Sequence, residues 1–325
     1  MKNATIISGR NIHLGYPRGK NFKEVISGLN ISLKKGQMTC LLGRNGIGKS
    51  TLIKGLLGQL NPHQGEIQLK GRLLQEYSKE EMARNIAVVL TETNIPGNLT
   101  VEQLVALGRI PHTEWHAKLR AADYQAIDEA INALKISNLR KERLSELSDG
   151  QRQKAMIARA FAQEGEIMIL DEPTAHLDLT GRTEIMTLLQ QIAVSEQKAI
   201  LVVTHNVELA IETAHEFWML IDAGELIIGK PEDLILSGDI MRLLPEGDFK
   251  FDLAKGRLVL PMPSSDLKIQ GPDEFTFWVK QALLKAEIHH LPHPLLVTSV
   301  PFELSYKGEK FSSTEALIEF IRPTS

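Results

Sequence analysis

One stretch limits what this chain can fold into more than any other: CLLGRNGIGKST, residues 40 to 51. The apolar run Met38 to Leu42 has the length of a buried strand, and Leu52, Ile53, Leu56 and Leu57 behind the glycines recur at helical spacing. A strand, a glycine-rich loop and a helix in that order predict an α/β fold. The loop also predicts a ligand. Its glycines let successive backbone N–H groups turn toward one anion, and the positive end of the following helix adds to the attraction. Lys49 is placed to reach the β and γ phosphates of a nucleotide, and Ser50 to ligate Mg²⁺.

Strands and helices alternate further along. A helix from Gln151, a strand at Glu166 to Leu170, a helix at Arg182 to Ala193 and a strand at Ala199 to Thr204 predict a parallel sheet with both faces covered. Residues 3 to 42 instead alternate polar and apolar positions with several glycines, which reads as short antiparallel strands leading into the loop. Residues 99 to 146 read as mostly helical, with Ile127, Ala130, Ile131 and Leu134 spaced along Asp123 to Leu134. The pattern then changes. Strands are expected at Lys255 to Pro263, Leu267 to Gly271, Leu295 to Ser299 and Phe302 to Tyr306, with helices at Asp273 to Ile288 and Ser313 to Ile321. The first of these helices carries an apolar stripe of Phe275, Trp278, Val279, Ala282, Leu283 and Ala286. The expected organisation is a nucleotide-binding domain over residues 1–250 and a small α+β accessory domain over 251–325.

A chain of 325 residues with 43% hydrophobic and 24% charged content has ample core for one large domain and a smaller one. Its net charge of −3 gives no electrostatic reason to expect nucleic acid as the main partner. Cys40 is the single cysteine, so no intrachain disulfide can form, and its place in the apolar strand reads as a small buried hydrophobe. The N-terminal stretch lacks the apolar core of a signal peptide, and no run of about 18 apolar residues occurs. The expectation is a cytoplasmic chain that does not itself span a membrane. His112, His116, His289, His290 and His293 have no cysteine or carboxylate at ligand spacing and read as loop or surface residues.

Two more stretches carry chemistry. Glu166 to Leu170 is an apolar strand ending in Asp171 and Glu172, a place for a magnesium partner and a base beside the γ-phosphate. Ahead of it, Ser148 and Gln151 in LSDGQ form a capping box that presents a second helix N-terminus able to bind an anion. With these in order, residues 1 to 245 resemble the ATP-binding cassette (ABC transporter) ATPases. GRNGIGKS resembles the Walker A motif, LSDGQ the ABC signature, IMILDE the Walker B motif, AHLD (Ala175 to Asp178) the D-loop, and Thr204-His205 the switch histidine. The resemblance implies a P-loop cassette with a parallel core sheet, an antiparallel β subdomain and a helical subdomain. It further implies ATP and Mg²⁺ held by Gly43, Asn45, Gly46, Gly48, Lys49, Ser50 and Thr51, with Tyr16 stacked on adenine. Asp171 is then a Mg²⁺ residue, largely through water, Glu172 the general base, and His205 a γ-phosphate contact. The family closes two cassettes head to tail on two ATP molecules, so Ser148, Gly150, Gln151 and Asp178 would serve the closed homodimer.

The chain departs from the family pattern twice. Asp149 stands where the signature usually has glycine, a tolerable change since Ser148 and Gly150 remain. The family also places a glutamine after the strand corresponding to Ile86 to Leu90, yet there is none between Gln75 and Gln103. Glu92 takes that position by spacing, either as a catalytic-site and Mg²⁺ residue or as a solvated loop residue. LTVEQLVALGRIPHTEW, Leu99 to Trp115, resembles the segment in ATPases that power uptake of iron-siderophore, haem and cobalamin. That resemblance implies a peripheral subunit on the cytoplasmic face of the inner membrane. Its partners would be an integral-membrane permease and, indirectly, a periplasmic substrate-binding protein. An exporter subunit, or a soluble cassette ATPase acting on DNA or the ribosome, is the competing reading.

Overall fold

The strand that feeds the glycine loop, Gln37–Gly43, lies inside a six-stranded sheet. Across that sheet the order is Glu225–Gly229, Glu216–Asp222, Gln37–Gly43, Ala199–Val203, Ile167–Asp171 and Ile86–Val89. Every neighbouring pair is parallel except the first, which adds an antiparallel edge. The computed structural model describes residues 4–19, 21–90, 96–113, 118–243, 250–252, 257–259 and 265–322. Its chain separates into two compact units, Met1–Gly247 with Phe251–Leu258, and Asp248–Lys250 with Val259–Ser325.

The two-residue period of the strands divides the apolar residues of the first unit between two cores. Met38, Cys40, Leu42, Met168, Leu170, Ile200, Val202, Phe217 and Met219 face one side of the sheet. Leu41, Ile167, Ile169, Ala199, Leu201, Val203, Trp218 and Leu220 face the other. That is why these strands read as unbroken apolar runs: each face has its own cover. On the first side lie the helices Asp149–Ala162 and Leu179–Ser195, together with Val101–Ala106 and Ala121–Ala133. On the second lie the helix Lys49–Leu56 and a four-stranded antiparallel sheet in the order Asn21–Lys34, Thr5–Arg18, Gln64–Leu69 and Arg72–Leu73. Helix Lys49–Leu56 sits close against that sheet. A Cβ on Gly55 would stand 2.6 Å from Leu14 Cδ1.

Cys40 is fully buried, and burial pushes its thiol up to about 12. Because the thiolate is the reactive form, a thiol-alkylating reagent at neutral pH is expected to leave the native protein unmodified and to label it only after denaturation. Mass spectrometry of the two samples checks this, and labelling of the native protein at the rate of a free thiol contradicts it.

The second unit has a four-stranded sheet in the order Ile269–Gln270, Leu295–Ser299, Phe302–Tyr306 and Glu309–Phe311, the first pair parallel and the others antiparallel. Helices Asp273–Lys285 and Thr314–Ile321 pack with it around Val279, Leu283, Leu295, Val297, Leu304, Tyr306 and Leu317. Two expectations are corrected here. The helix beginning at Asp273 ends at Lys285 rather than Ile288, because Glu287 adopts φ 54° and the amides of Glu287 and Ile288 return to the carbonyls of Leu284 and Leu283. Those paired bonds make a Schellman stop, which a carboxylate side chain does not advertise. Trp278 does not belong to the buried stripe. It is 64% exposed, since Val279 and Leu283 set the inward phase and Trp278 falls to one side. Of the strand expected at Lys255 to Pro263, only Arg257–Val259 lies among the described residues.

Candidate active site

The parallel strands bring their C-terminal ends to one edge of the sheet, where ligands of open α/β sheets bind. The glycine loop leaves Gln37–Gly43 at that edge, and Ile167–Asp171 reaches it with Ala199–Val203 between the two. A depression of about 300 Å³ results, lined by Asn45, Gly46, Gly48, Lys49, Ser50, Thr51, Asp171 and Glu172, with Val25 and Val203 at its sides. Gly46 has φ 78°, a conformation that residues with a side chain seldom adopt, so the turn of the loop depends on it. Lys49 Nζ donates to Gly43 O at 2.6 Å and Arg44 O at 3.1 Å. These bonds hold the ammonium over the loop. Burial lowers the pKa of Lys49, opposed by the charges of Glu172 and Asp171. The pKa of Asp171 is raised by burial and by Glu172, opposed by Lys49.

Glu172 follows the strand in a left-handed conformation, φ 48°. Its amide donates to Val203 O at 2.9 Å, which ties the turn to the neighbouring strand end. The carboxylate then points to His205, with Oε1 2.9 Å from Nδ1, while Oε2 is buried with no hydrogen-bond partner. His205 itself stands in solvent, its side chain 73% exposed. The left-handed turn alone does not single out Glu172, since Glu164 and Glu287 share it; the unpartnered buried oxygen and the contact with His205 do. The donor set suits a divalent cation: the Ser50 hydroxyl and the Asp171 carboxylate line one depression, and an orphaned carboxylate oxygen stands beside them. Tyr16 reaches the same region, its hydroxyl 3.3 Å from Thr51 Oγ1 and its ring 5.5 Å from Lys54 Nζ.

The remaining site candidates are not brought into this depression. Ser148 caps the helix Asp149–Ala162, accepting from Gln151 N at 3.3 Å, while Gln151 Oε1 accepts from Ser148 N at 3.0 Å. That is the capping box expected from the sequence. Gly150 follows in the first turn, and Asp178 caps Leu179–Ser195 by accepting from Gly181 N at 2.7 Å. Glu92, Trp115 and His116 lie outside the described residues. Within the segment after Glu92, Val101, Leu104 and Val105 are core, whereas Leu107 and Ile110 are exposed at 42% and 57%.

A buried ion pair escaped the sequence reading altogether. Arg109 is 4% exposed and donates through Nε to Asp123 Oδ1 at 2.9 Å. The available signal was Arg109 inside GRIPH, between apolar neighbours, with Asp123 in the first turn of a later helix.

Fold and site together define a P-loop nucleotide-binding ATPase. Residues 26–175 match the family model described as ABC transporter. An uncharacterized ABC transporter ATP-binding protein of Methanocaldococcus jannaschii is 36% identical over 230 residues, covering 71% of this chain and 78% of that protein. The chain belongs to the ABC transporter ATP-binding proteins, and it is an ATP-hydrolysing transporter subunit. The ferric enterobactin transport ATP-binding protein of Escherichia coli is 33% identical, over 73% of this chain and 86% of that one. The iron(3+)-hydroxamate import ATP-binding protein of Bacillus subtilis is 31% identical, with the same coverage. Among solved structures, a metal-chelate type ABC transporter in an inward-facing conformation matches with a TM-score of 0.63 at 30% identity, covering 74% of this chain and 89% of that one.

Proposed function

We propose that this chain hydrolyses ATP to drive import of a metal chelate: an iron-siderophore complex, haem or cobalamin. The observation that carries the hydrolytic part is the Glu172 carboxylate, held by its strand end and His205 at the phosphate loop. The import direction rests on the relatives that act in ferric enterobactin transport and iron(3+)-hydroxamate import.

The residue roles follow from chemistry. The amides of the loop from Gly43 to Thr51, Asn45 and Gly46 among them, bind the phosphates, Lys49 supplies the neutralising charge, and Tyr16 offers its ring to adenine. Ser50 and Asp171 hold Mg²⁺, which when bound neutralises charge developing on the phosphates. Glu172 accepts a proton from the attacking water, and His205 orients that carboxylate and reaches the γ-phosphate. Glu92, by its place in the sequence, is proposed to link the Mg²⁺ site to the membrane partner.

A homodimer completes the site. Ser148 and Gly150 stand at a helix N-terminus outside the depression, and a Cβ on Gly150 would meet nothing within 4 Å. No packing among the described residues calls for glycine there, which supports the approach of a second protomer's nucleotide, with Gln151 and Asp178 fixing their two helix caps. Residues 1–250 are the motor in this reading, and 251–325 form an accessory α+β domain. No helix among the described residues is long and apolar enough to cross a membrane. From its likeness to subunits of membrane transporters, the chain is proposed to sit at the cytoplasmic face, bound to an integral-membrane permease through the surface carrying Leu107 and Ile110, with a periplasmic binding protein acting indirectly.

Cells lacking this chain are expected to lose uptake of one of the three chelate classes. Wild-type chain should restore it and Glu172→Gln should not. Unchanged uptake of radiolabelled ferric siderophore, haem and cobalamin in the deletion strain overturns the importer reading.

A further inference from the structure

Arg109 sits at a junction of three segments. Its Nη1 donates to Ala162 O at 2.6 Å and to Glu164 Oε2 at 2.5 Å, while Nε holds Asp123. Asp123 is itself buried and accepts from Arg120 N at 2.9 Å. The next residues of the same helix end are bound in the same way. His112 Nε2 lies 2.9 Å from Gln163 O, and Gln163 Nε2 donates to Ala83 O and to Ile86 O. A Cβ on Gly108 would stand 2.1 Å from Arg159 O, so the backbone ahead of Arg109 lies flat on the helix.

The last carbonyls of a helix have no partner within it and carry the negative end of its dipole. Here a guanidinium takes that place. Its planar fork reaches a carbonyl and two carboxylates at once, which an ammonium cannot reproduce. Stability alone does not account for the arrangement, because a buried ion pair contributes little beyond an apolar pair of the same volume. Its effect is geometric: these bonds tie the segment carrying the exposed Leu107 and Ile110 to the C-terminal end of Asp149–Ala162. That helix has 14 residues, about 21 Å of rod, with Ser148 at its far end.

We propose that Arg109, seconded by Gln163, is a positioning residue that transmits displacement of the 107–112 segment to the Ser148 end of the helix. The proposal rests on the permease-docking reading given above. It makes Arg109 a coupling element without contact to nucleotide.

The test uses the full chain with its permease in lipid vesicles. Arg109→Lys keeps the charge and loses the fork, and Gln163→Met removes the amide donor at similar length. Ile192→Val, a buried change in the helix Leu179–Ser195, serves as a reference for general loss of stability. Arg109→Met combined with Asp123→Leu removes the two buried charges, leaves only the exposed Glu164, and covers the case in which a single variant fails to fold. The folded variants are expected to bind the permease and to keep the hydrolysis rate of the isolated subunit. Stimulation of hydrolysis by the permease should fall roughly fivefold or more, the scale of coupling between distant sites, and Ile192→Val should keep the wild-type ratio. If folded Arg109 and Gln163 variants keep that ratio, or Ile192→Val lowers it equally, the positioning role is overturned while docking stands. If wild-type chain is neither bound nor stimulated by the permease, both readings fall.

Discussion

Replacing Glu172 by glutamine is expected to leave ATP binding intact and to slow hydrolysis by about 10²- to 10⁴-fold, the contribution of a positioned general base. The amide has the shape of the carboxylate and can keep a hydrogen bond to His205, so the turn at φ 48° and the bond from its amide to Val203 O are preserved. What it cannot do is take a proton. Single-turnover hydrolysis and equilibrium nucleotide binding separate the two effects. Turnover within about tenfold of wild type, well short of a general base's contribution, would remove Glu172 from the role of base.

Lys49→Met should act on binding instead. Lys49 Nζ already sits over the loop through the carbonyls of Gly43 and Arg44, in a depression where burial and two nearby carboxylates oppose each other's effect on its charge. Methionine keeps the length and loses the charge. Hydrogen bonds to charged groups contribute about 1.5–3 kcal/mol, so ATP affinity should weaken roughly 10- to 100-fold. The neighbouring carboxylates then face the phosphates without a counter-charge from the protein, and hydrolysis falls further. Titration with a fluorescent nucleotide checks the affinity. A variant that binds ATP as the wild type does would show that the loop amides alone hold the phosphates.

Much of this site was legible in the chain because its parts are local. A buried strand, a loop whose turn needs glycine at residue 46 and a helix lie within a few residues of each other, so this candidate anion site is built from one short stretch. The same holds for the capping box of Ser148 and Gln151, closed within a single turn. Residues that depend on distant neighbours were less legible. Leu107 and Ile110 share an apolar stretch with Val101, Leu104 and Val105, and only packing against the helix Asp149–Ala162 decides which of them are core. Trp278 shows the same limit, since an aromatic residue in a periodic pattern fits either phase until its neighbours choose one.

By itself the sequence determined the order of strand, loop and helix, the family, and which loop residues line the depression, because each depends on spacing along one short stretch. Tertiary structure decided what lies beside what. It placed Glu172 against His205 across two strand ends, left Ser148 and Gly150 outside the depression, and buried Arg109 on the carbonyl of Ala162 and the carboxylate of Asp123. Those pairings join residues far apart in the chain, and no local periodicity encodes them: they exist only once the sheet has ordered its strands and the helices have found their faces.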